Sequence, residues 1–368
     1  MDKIMLERFA LTTLEALSHI PAVPYYELNG ASYIESICEG SNLQTRSDRN
    51  GNILVSRIGK DLDAPGTALV AHLDHPGFEA VKVGRGNVVG TMLGGLGQAA
   101  CTPGVGVLFI RNDGRRIEGQ IAEILSIERP VKVRFDADAE AIGEFPCAVV
   151  LDLPDFVQDG NFIRMRAVDD LAGCAASLAS LFYTAEISSP GTAYGLFTRA
   201  EEDGLVGARM AAAESLLPEG TVVVSVESSH AVAGAEIGSG PVIRVGDRIS
   251  TFDSSAEAYL QSAAKRLMER DSGFRFQRQL MDGGVCEGSA FAAEGYSVTG
   301  IAFPLGNYHN GLYQNVVEAE YIDRRDFFNG VQLLAEMLCY SGVQNLSTPG
   351  SRLRKPRPDQ LKKLRSRN

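Results

Sequence analysis

The chain has 368 residues, of which 45% are hydrophobic and 22% charged, and its net charge is −11 at pH 7. This length allows a large hydrophobic core, while the acidic balance argues against general nucleic-acid binding. No apolar run approaches the roughly 20 residues that span a bilayer, and the first residues lack the apolar segment of a signal peptide. The six cysteines are scattered without metal-binding spacing, which indicates reduced thiols. We therefore expect a cytoplasmic protein whose main partner is neither a nucleic acid nor a membrane.

The first predicted elements are a helix and a buried strand. Apolar residues recur at helical spacing in residues 6–20, and a run of small and β-branched residues at 67–71 indicates a central strand. This strand leads directly into His72 and Asp74. Alternation puts both side chains on the same side of an extended chain, where the aspartate can accept the second imidazole N–H while the other nitrogen binds a metal.

Residues 79–160 have a different texture from the segments around them. Short alternating runs are separated by turns, including a hairpin signal at residues 112–114. The segment contains no histidine. We predict a small antiparallel β-barrel inserted into the larger fold.

Within residues 161–345 the sequence predicts further strands, and acidic residues or histidines lie at their carboxyl ends. In open α/β sheets ligands bind at the carboxyl ends of the strands. One member of the pair Asp169–Asp170 is expected to cap the following helix, which leaves the other free as a ligand. With the two residues named above, the candidates at strand ends are His72, Asp74, Asp169, Glu201, Glu202, Glu227 and His309.

These side chains are suited to a metal site. Two adjacent carboxylates repel each other and persist in a partly buried place only beside a cation. Two histidines and three carboxylates form a ligand set suited to two divalent ions such as Zn²⁺, with one carboxylate bridging. Co or Mn would suit the same nitrogen and oxygen ligands. The member of the Glu201–Glu202 pair that binds no metal can act as a general base.

With these residues assembled, the chain resembles the M42 family of metallo-aminopeptidases, in the clan that includes the M20 and M28 peptidases. The resemblance covers roughly residues 1–340. The predicted insertion precedes Asp169, as in M42 proteins, whereas M20 enzymes insert a domain after the fourth carboxylate. The matching segments are residues 71–78, 167–170, 201–208, 238–241 and 307–310, which read AHLDHPGF, AVDD, EEDGLVGA, GSGP and NYHN.

The resemblance implies the fold class and the domains. It implies an α/β protein with a three-layer, mixed-sheet zinc-peptidase (phosphorylase/hydrolase-like) catalytic domain, formed by residues 1–78 and 161–345. The inserted β-barrel at 79–160 would serve oligomerisation or substrate access. Because family members assemble as dimers or dodecamers, we expect a homo-oligomer that acts on short peptides. The tail at 346–368, rich in Lys and Arg, is expected to be disordered.

The resemblance also implies a role for each site residue. Glu201 is expected to be the general base, and Asp74 is expected to orient His72. The expected metal ligands are His72, Asp169 and Glu227 for one ion and Asp169, Glu202 and His309 for the other.

Three positions depart from the family pattern. His75 and Glu287 stand where the family usually has other residues, and both are candidate substrate-binding residues; His75 could equally be solvated. Glu227 replaces a typical aspartate, and glutamate there is more typical of carboxypeptidases and deacylases. The alternatives are therefore an M20-type carboxypeptidase or N-acyl amino-acid deacylase and, in another class, an inactive homologue that acts as a binding or structural protein.

Overall fold

The computed structural model describes residues 2–84, 86–343 and 356–366. No helix among them is long and apolar enough to cross a membrane. A short 3₁₀ helix covers Gln98–Cys101. The α-helices are α1 (Lys3–Ser18), α2 (Leu28–Cys38), α3 (Ala139–Ile142), α4 (Val168–Thr184), α5 (Val206–Ala213), α6 (Ser254–Arg270), α7 (Glu287–Ala293), α8 (Tyr308–Gly311), α9 (Arg324–Leu338) and α10 (Pro358–Arg365).

The strands form one large sheet, one small sheet and one closed barrel. They are β1 (Gln44–Ser47), β2 (Ile53–Arg57), β3 (Thr67–His72), β4 (Gly77–Val83), β5 (Asn87–Leu93), β6 (Gly106–Ile110), β7 (Arg116–Ser126), β8 (Lys132–Ala137), β9 (Cys147–Leu151), β10 (Val157–Asp159), β11 (Phe162–Met165), β12 (Ala193–Thr198), β13 (Val222–His230), β14 (Val242–Arg244), β15 (Gln277–Gln279), β16 (Ser297–Leu305) and β17 (Glu320–Asp323).

The eight-stranded sheet forms the centre of the molecule, in the order β1-β2-β12-β3-β13-β16-β14-β15. Its four middle strands, β12, β3, β13 and β16, run parallel to one another, and antiparallel pairs flank them. Helices α1, α4, α6 and α9 pack on one face, and α5 and α7 pack on the other. The predicted three-layer α/β architecture with a mixed sheet is confirmed.

Strand β3 illustrates why a run of small and β-branched residues forms a central strand. Its side chains alternate between two apolar cores: Leu69 and Ala71 face the α4 side, whereas Ala68 and Val70 face the α5 side. A strand covered on both faces needs an apolar residue at every position, so it lacks the polar alternation of a half-exposed strand. The run therefore identifies the strand directly beneath the candidate site.

The six-stranded barrel closes in the order β4-β5-β8-β7-β6-β9 and interrupts the chain between β3 and α4. It has its own core, in which the rings of Phe78 and Phe109 pack edge-on against Phe135, with centroids 5.6 and 5.1 Å away. The predicted inserted β-barrel is confirmed as a feature of the fold.

Most predicted elements differ from the observed ones only at their ends. The helix expected over residues 6–20 is α1, Lys3–Ser18, because the Asp2 side chain caps it by accepting a hydrogen bond from the Met5 N–H. Within the tail, the structure has the exposed helix α10 where we expected disorder. Tail residues 346–355 and 367–368, together with residues 344–345 before the tail, lie outside the described residues.

A core substitution tests the packing between the sheet and α9. Phe303 on β16 is fully buried, and its ring centroid is 5.5 Å from that of Phe327 on α9. Phe303→Ala should lower the free energy of unfolding by about 3–5 kcal/mol, because it removes apolar contacts and leaves a cavity. Leu62→Ala is the control: this side chain is 78% exposed, so the change should stay within about 0.5 kcal/mol. Urea unfolding measures the free energy of unfolding of both variants. Equal losses in the two variants would contradict the packing of Phe303 against α9.

Candidate metal centre

The candidate site lies at the carboxyl edge of the four parallel strands. β3 ends at His72, and the turn after β12 carries Glu201 and Glu202. Glu227 lies within β13, three residues before the end of the strand, whereas the sequence predicted it at the strand end, and His309 lies in α8 just after β16. Because the carboxyl ends of parallel strands share one edge of a sheet, the fold brings these side chains together.

Asp169, at the start of α4, lies between the two histidines. Its Oδ1 is 3.4 Å from Nε2 of His72, and its Oδ2 is 3.8 Å from Nε2 of His309. The two oxygens of one carboxylate thus face different imidazoles, as a bridging ligand requires. Two groups whose ligand atoms lie within 4.8 Å of one another share this aspartate: His72, Asp169 and Glu227, and Asp169, Glu202 and His309.

Each histidine is oriented by a backbone carbonyl. Nδ1 of His72 donates to the carbonyl oxygen of Asp74 at 3.0 Å, and Nδ1 of His309 donates to that of Gly95 at 2.9 Å. A carbonyl can only accept, so the proton of the neutral imidazole lies on Nδ1 in both rings. Each Nε2 lone pair is therefore directed toward the carboxylates, the state in which histidine binds a metal.

The residues present fit divalent ions. Oδ1 of Asp169 and Oε1 of Glu202 are buried and accept no hydrogen bond from an N–H or O–H donor among the described residues; their nearest neighbours are imidazole nitrogens, Nε2 of His72 at 3.4 Å from the first and Nε2 of His309 at 3.1 Å from the second. A buried carboxylate oxygen without a partner is costly unless a cation compensates it. The donors are imidazole nitrogen and carboxylate oxygen, the set that suits Zn²⁺ and the neighbouring transition metals.

The pKa values of Glu201 and His309 are shifted because several negative charges are buried close together with little solvent. Burial raises the pKa of Glu201 well above its usual range; His72 opposes this shift, and Glu202 and Glu227 add to it. Burial alone would lower the pKa of His309, but the adjacent Glu202 carboxylate raises it to about 9. Glu201 thus favours a bound proton, and a bound divalent ion would satisfy the same electrostatic demand.

The turn that carries the glutamate pair is held by two buried acids. The carboxylate of Asp74 accepts the N–H groups of Glu201 and Glu202, each at 3.0 Å. Glu27 accepts the N–H of Ala200 at 2.9 Å and pairs with Arg199 Nε at 2.7 Å. Because Ala200 has the left-handed φ of 51°, which is unfavourable for a residue with a Cβ, these contacts stabilise a strained turn.

This geometry modifies the role expected for Asp74. We predicted that its carboxylate would orient His72, but the nearest carboxylate oxygen is 3.7 Å from Nδ1, and the Asp74 carbonyl accepts that hydrogen bond instead. The carboxylate is committed to the glutamate turn. Asp74 therefore links the first histidine to the glutamate pair.

Glu320 holds together the two backbone segments that carry Asp169 and His309. Its carboxylate accepts the N–H groups of Val168 and Asp169 at 2.8 and 3.0 Å and the N–H of His309 at 2.8 Å. One buried side chain thereby fixes the backbone of two candidate ligands. Asp170 caps helix α4 by accepting the Gly173 N–H, which leaves Asp169 free, as the sequence led us to expect for one member of the pair.

The two residues expected to contact substrate are both enclosed. His75 is buried; its Nδ1 donates to the carbonyl of Asp169 at 2.8 Å, and its Nε2 lies 3.0 Å from Oδ1 of Asn310. Glu287 is also buried and accepts a hydrogen bond from Thr198. Neither lines the cavity, so the expectation of substrate contact is corrected to a role in packing beneath the site.

A cavity of about 510 Å³ opens onto the candidate ligands. His72, Asp169, Glu201, Glu202, Glu227 and His309 form part of its wall. The barrel supplies Gly95 and Arg129, and the edge of the sheet supplies Arg244. The barrel therefore contributes directly to the surface that a ligand in this cavity would meet.

Sequence reasoning missed Glu27, Glu320, Asn310 and Arg244. Glu27 and Glu320 each accept a hydrogen bond from a backbone N–H group more than 150 residues away in the sequence, and Glu320 also accepts one from across a loop. No local sequence pattern indicates such contacts. Asn310 follows His309 directly, so its proximity could have been inferred. The available signal for Arg244 is a lone charge after the apolar pair 242–243.

A comparison with models of known protein families identifies the family of this chain. A family model described as M42 glutamyl aminopeptidase matches residues 51–333. The chain belongs to the M42 peptidase family. Members of this family are hydrolases of the aminopeptidase class, and the match spans every candidate ligand. A sequence comparison with curated proteins gives no match.

Solved structures share the M42 fold with this chain. The aminopeptidase APDkam598 from the archaeon Desulfurococcus kamchatkensis is 20% identical, with a TM-score of 0.76 over 93% of this chain and 98% of that chain. The TET1 peptidase of Pyrococcus horikoshii is 21% identical, with a TM-score of 0.73 over 90% and 99%. A TET aminopeptidase from a marine-sediment thaumarchaeon is 20% identical, with a TM-score of 0.74 over 89% and 96%.

The enclosed carboxyl of Glu287 should make stability depend on pH in the metal-chelated protein. Burial raises its pKa from 4.5 to about 8. The folded state then holds a proton that the unfolded chain has lost, so the free energy of unfolding should fall between about pH 4.5 and 8. The slope is at most about 1.4 kcal/mol per pH unit. Glu287→Gln has nothing to ionise and should flatten the decline.

Urea unfolding at pH 6 and pH 8.5 measures this difference. Glu294→Gln, which removes an exposed acid next to the same helix, is the matched control and should follow the wild-type profile. Parallel loss of stability in wild type and Glu287→Gln would contradict the assignment.

Proposed function

We propose that this M42 protein is a dinuclear metal-dependent aminopeptidase that removes N-terminal residues from short peptides. The observation that carries the proposal is the position of Asp169, whose two carboxylate oxygens face two different histidines. A single ion would leave one of these oxygens and one imidazole without a ligand partner. Two ions use all of them.

The proposed ligands follow the two groups that share the aspartate. The ions are proposed to be Zn²⁺, and Co²⁺ or Mn²⁺ suit the same donors. One ion would be held by His72, Asp169 and Glu227, and the other by Asp169, Glu202 and His309.

Glu201 is proposed as the general base. Bound divalent ions would polarise the scissile carbonyl and acidify the attacking water. The Glu201 carboxylate takes the proton from that water and delivers it to the departing nitrogen. Asp74 fixes the position of this carboxylate by accepting the Glu201 N–H.

The domain roles extend the proposal. Residues 1–78 and 161–345 would form the catalytic domain, and the barrel at 79–160 would serve substrate access and assembly. Support comes from Arg129 and Gly95, through which the barrel reaches the cavity. The Pyrococcus horikoshii TET1 peptidase is described as assembling into a tetrahedron or an octahedral shell. We propose a homo-oligomer, either dimeric or dodecameric, for this chain as well.

The proposed compartment is the cytoplasm. All six cysteines are free thiols in the structure, and five of them are buried. A reducing compartment suits this state. The net charge of −11 supports a peptide rather than a nucleic acid as the main partner.

Replacing the proposed base tests the mechanism. Glu201→Gln keeps the size of the side chain but cannot accept the proton, so kcat for peptide hydrolysis should fall about 10²- to 10⁴-fold. Bound metal, measured by elemental analysis of the purified variant, should remain at the wild-type stoichiometry. Glu219→Gln, a change at an exposed acid remote from the cavity, should retain both properties. Wild-type activity in Glu201→Gln would reject the assigned base.

The competing reading as a carboxypeptidase or N-acyl amino-acid deacylase rests on Glu227. A peptide with a free N-terminus and the same peptide carrying an acetyl group separate the proposals. An aminopeptidase should hydrolyse only the free amine and release its first residue, as mass spectrometry would record. Preference for the acetylated peptide or loss of its C-terminal residue would favour the competing reading. Purified protein with neither bound metal nor hydrolysis would indicate a binding or structural protein.

A further inference from the structure

His75 is a buried histidine for which the proposed reaction has no use, and it departs from the family pattern. It is 3% exposed, and its backbone N–H donates to the carbonyl of Ala22 at 3.1 Å. Its Nδ1 donates to the carbonyl of Asp169 at 2.8 Å, and its Nε2 contacts Oδ1 of Asn310 at 3.0 Å. The ring therefore touches the residue that bears the bridging carboxylate and the residue that follows His309.

The side-chain amide of Asn310 has one orientation that satisfies its neighbours. Its Nδ2 donates to the carbonyl of Arg166 at 2.8 Å. Because a carbonyl can only accept, the amide nitrogen faces Arg166 and the amide oxygen faces His75. Asn310 is 1% exposed, so solvent does not compete for either contact.

The carbonyl of Arg166 belongs to an anchored residue. Arg166 donates from Nε and Nη2 to the carbonyls of Leu151 and Leu153, each at 2.7 Å. Its Nη1 is 2.9 Å from Asp155. The amide of Asn310 is thus held between a fixed carbonyl on one side and a buried imidazole on the other.

The backbone of His309 needs contacts of this kind. The φ angles of His309 and Asn310 are 49° and 57°, in the left-handed region that is unfavourable for residues with a Cβ. Glu320 accepts the N–H of His309, and the carbonyl of Gly95 accepts its Nδ1–H. Those two contacts act on the histidine itself. The Asn310 amide acts on the residue after it, and so holds the left-handed turn from its other end.

We propose that His75 is a positioning residue for the second metal ion and that it acts through Asn310. Its contact with the amide stabilises the turn that directs Nε2 of His309 toward Glu202 and Asp169, 3.1 and 3.8 Å away. This inference rests on the proposed two-ion function. A histidine that only fills space in the core would affect stability but would not affect one ion more than the other.

Zinc release from the purified holoprotein tests the proposal without any measurement of hydrolysis. The holoprotein is titrated with a chelator of known zinc affinity, and the zinc that remains bound is measured by elemental analysis. Wild type should lose two ions in two steps. Asn310→Ala should shift one step toward weaker binding by about 10- to 100-fold, the usual effect of losing a residue that orients a metal ligand. The other step should stay in place. The shifted step should be the one that His309→Ala abolishes.

A double-mutant cycle tests whether His75 acts through Asn310. His75→Ala should shift the same step at least as far as Asn310→Ala, since it also removes the contact with the Asp169 carbonyl. The double variant should shift that step by less than the product of the two single shifts, because both residues act through one contact. If His75→Ala does not fold, as judged by circular dichroism, His75→Gln takes its place in the cycle.

Asn329→Ala is the matched control. The Asn329 amide also donates to a backbone carbonyl, that of Arg275 at 3.3 Å, and the residue does not line the cavity. Both release steps should match those of wild type in this variant.

The outcomes separate this inference from the function on which it rests. Wild-type holoprotein that carries fewer than two zinc ions would contradict the two-ion function and the role of His75 together. Two bound ions whose release is unchanged in Asn310→Ala and His75→Ala would overturn the positioning role alone. Equal shifts of both steps, or shifts that multiply fully in the double variant, would overturn it as well.

Discussion

The structure depends on one electrostatic constraint: several carboxylates are buried together at the carboxyl edge of a parallel sheet. Asp169 lies at the centre of this group, and its Oδ1 has no hydrogen-bond partner among the described residues. Like charges at this depth require protons or cations, and the raised pKa values of Glu201 and His309 express that requirement. The rest of the site maintains an arrangement that would otherwise relax through side-chain rotation or solvent entry.

Backbone contacts, rather than side-chain pairs, maintain the arrangement. Glu320 accepts N–H groups from both ligand-bearing segments, Asp74 accepts two from the glutamate turn, and Glu27 holds the residue before it. Each contact fixes the direction in which a neighbouring residue's Cβ points. The site is therefore preorganised by acids that do not themselves line the cavity, and losing one would displace a ligand without removing it.

The sequence predicted the site best where a local hydrophobic pattern leads into a site residue. Buried strands are recognisable from apolar runs, and a histidine or acidic residue within a few positions after such a run must lie at the sheet edge, which is how His72 and Glu201 were found. The inserted barrel was predicted from short alternating runs separated by turns, and the fold class followed from the family resemblance. His75 and Glu287 were misjudged because sequence position does not give the direction of a side chain. Arg244 was overlooked because a three-residue strand has too short a pattern to reveal what its last side chain faces.

The barrel inserted after β3 also has a consequence for the order in which the chain folds. Among the described residues, β3 pairs with β12 and β13, and neither partner begins before residue 193. The barrel strands pair with one another within residues 77–151, so during synthesis the barrel can form while both edges of β3 are still open. An unpaired apolar strand invites intermolecular pairing. Strand β3, whose every residue is buried in the folded chain, therefore has both edges unpaired until β12 and β13 are synthesised, and a barrel that has folded on its carboxyl side shortens the unfolded segment adjoining it.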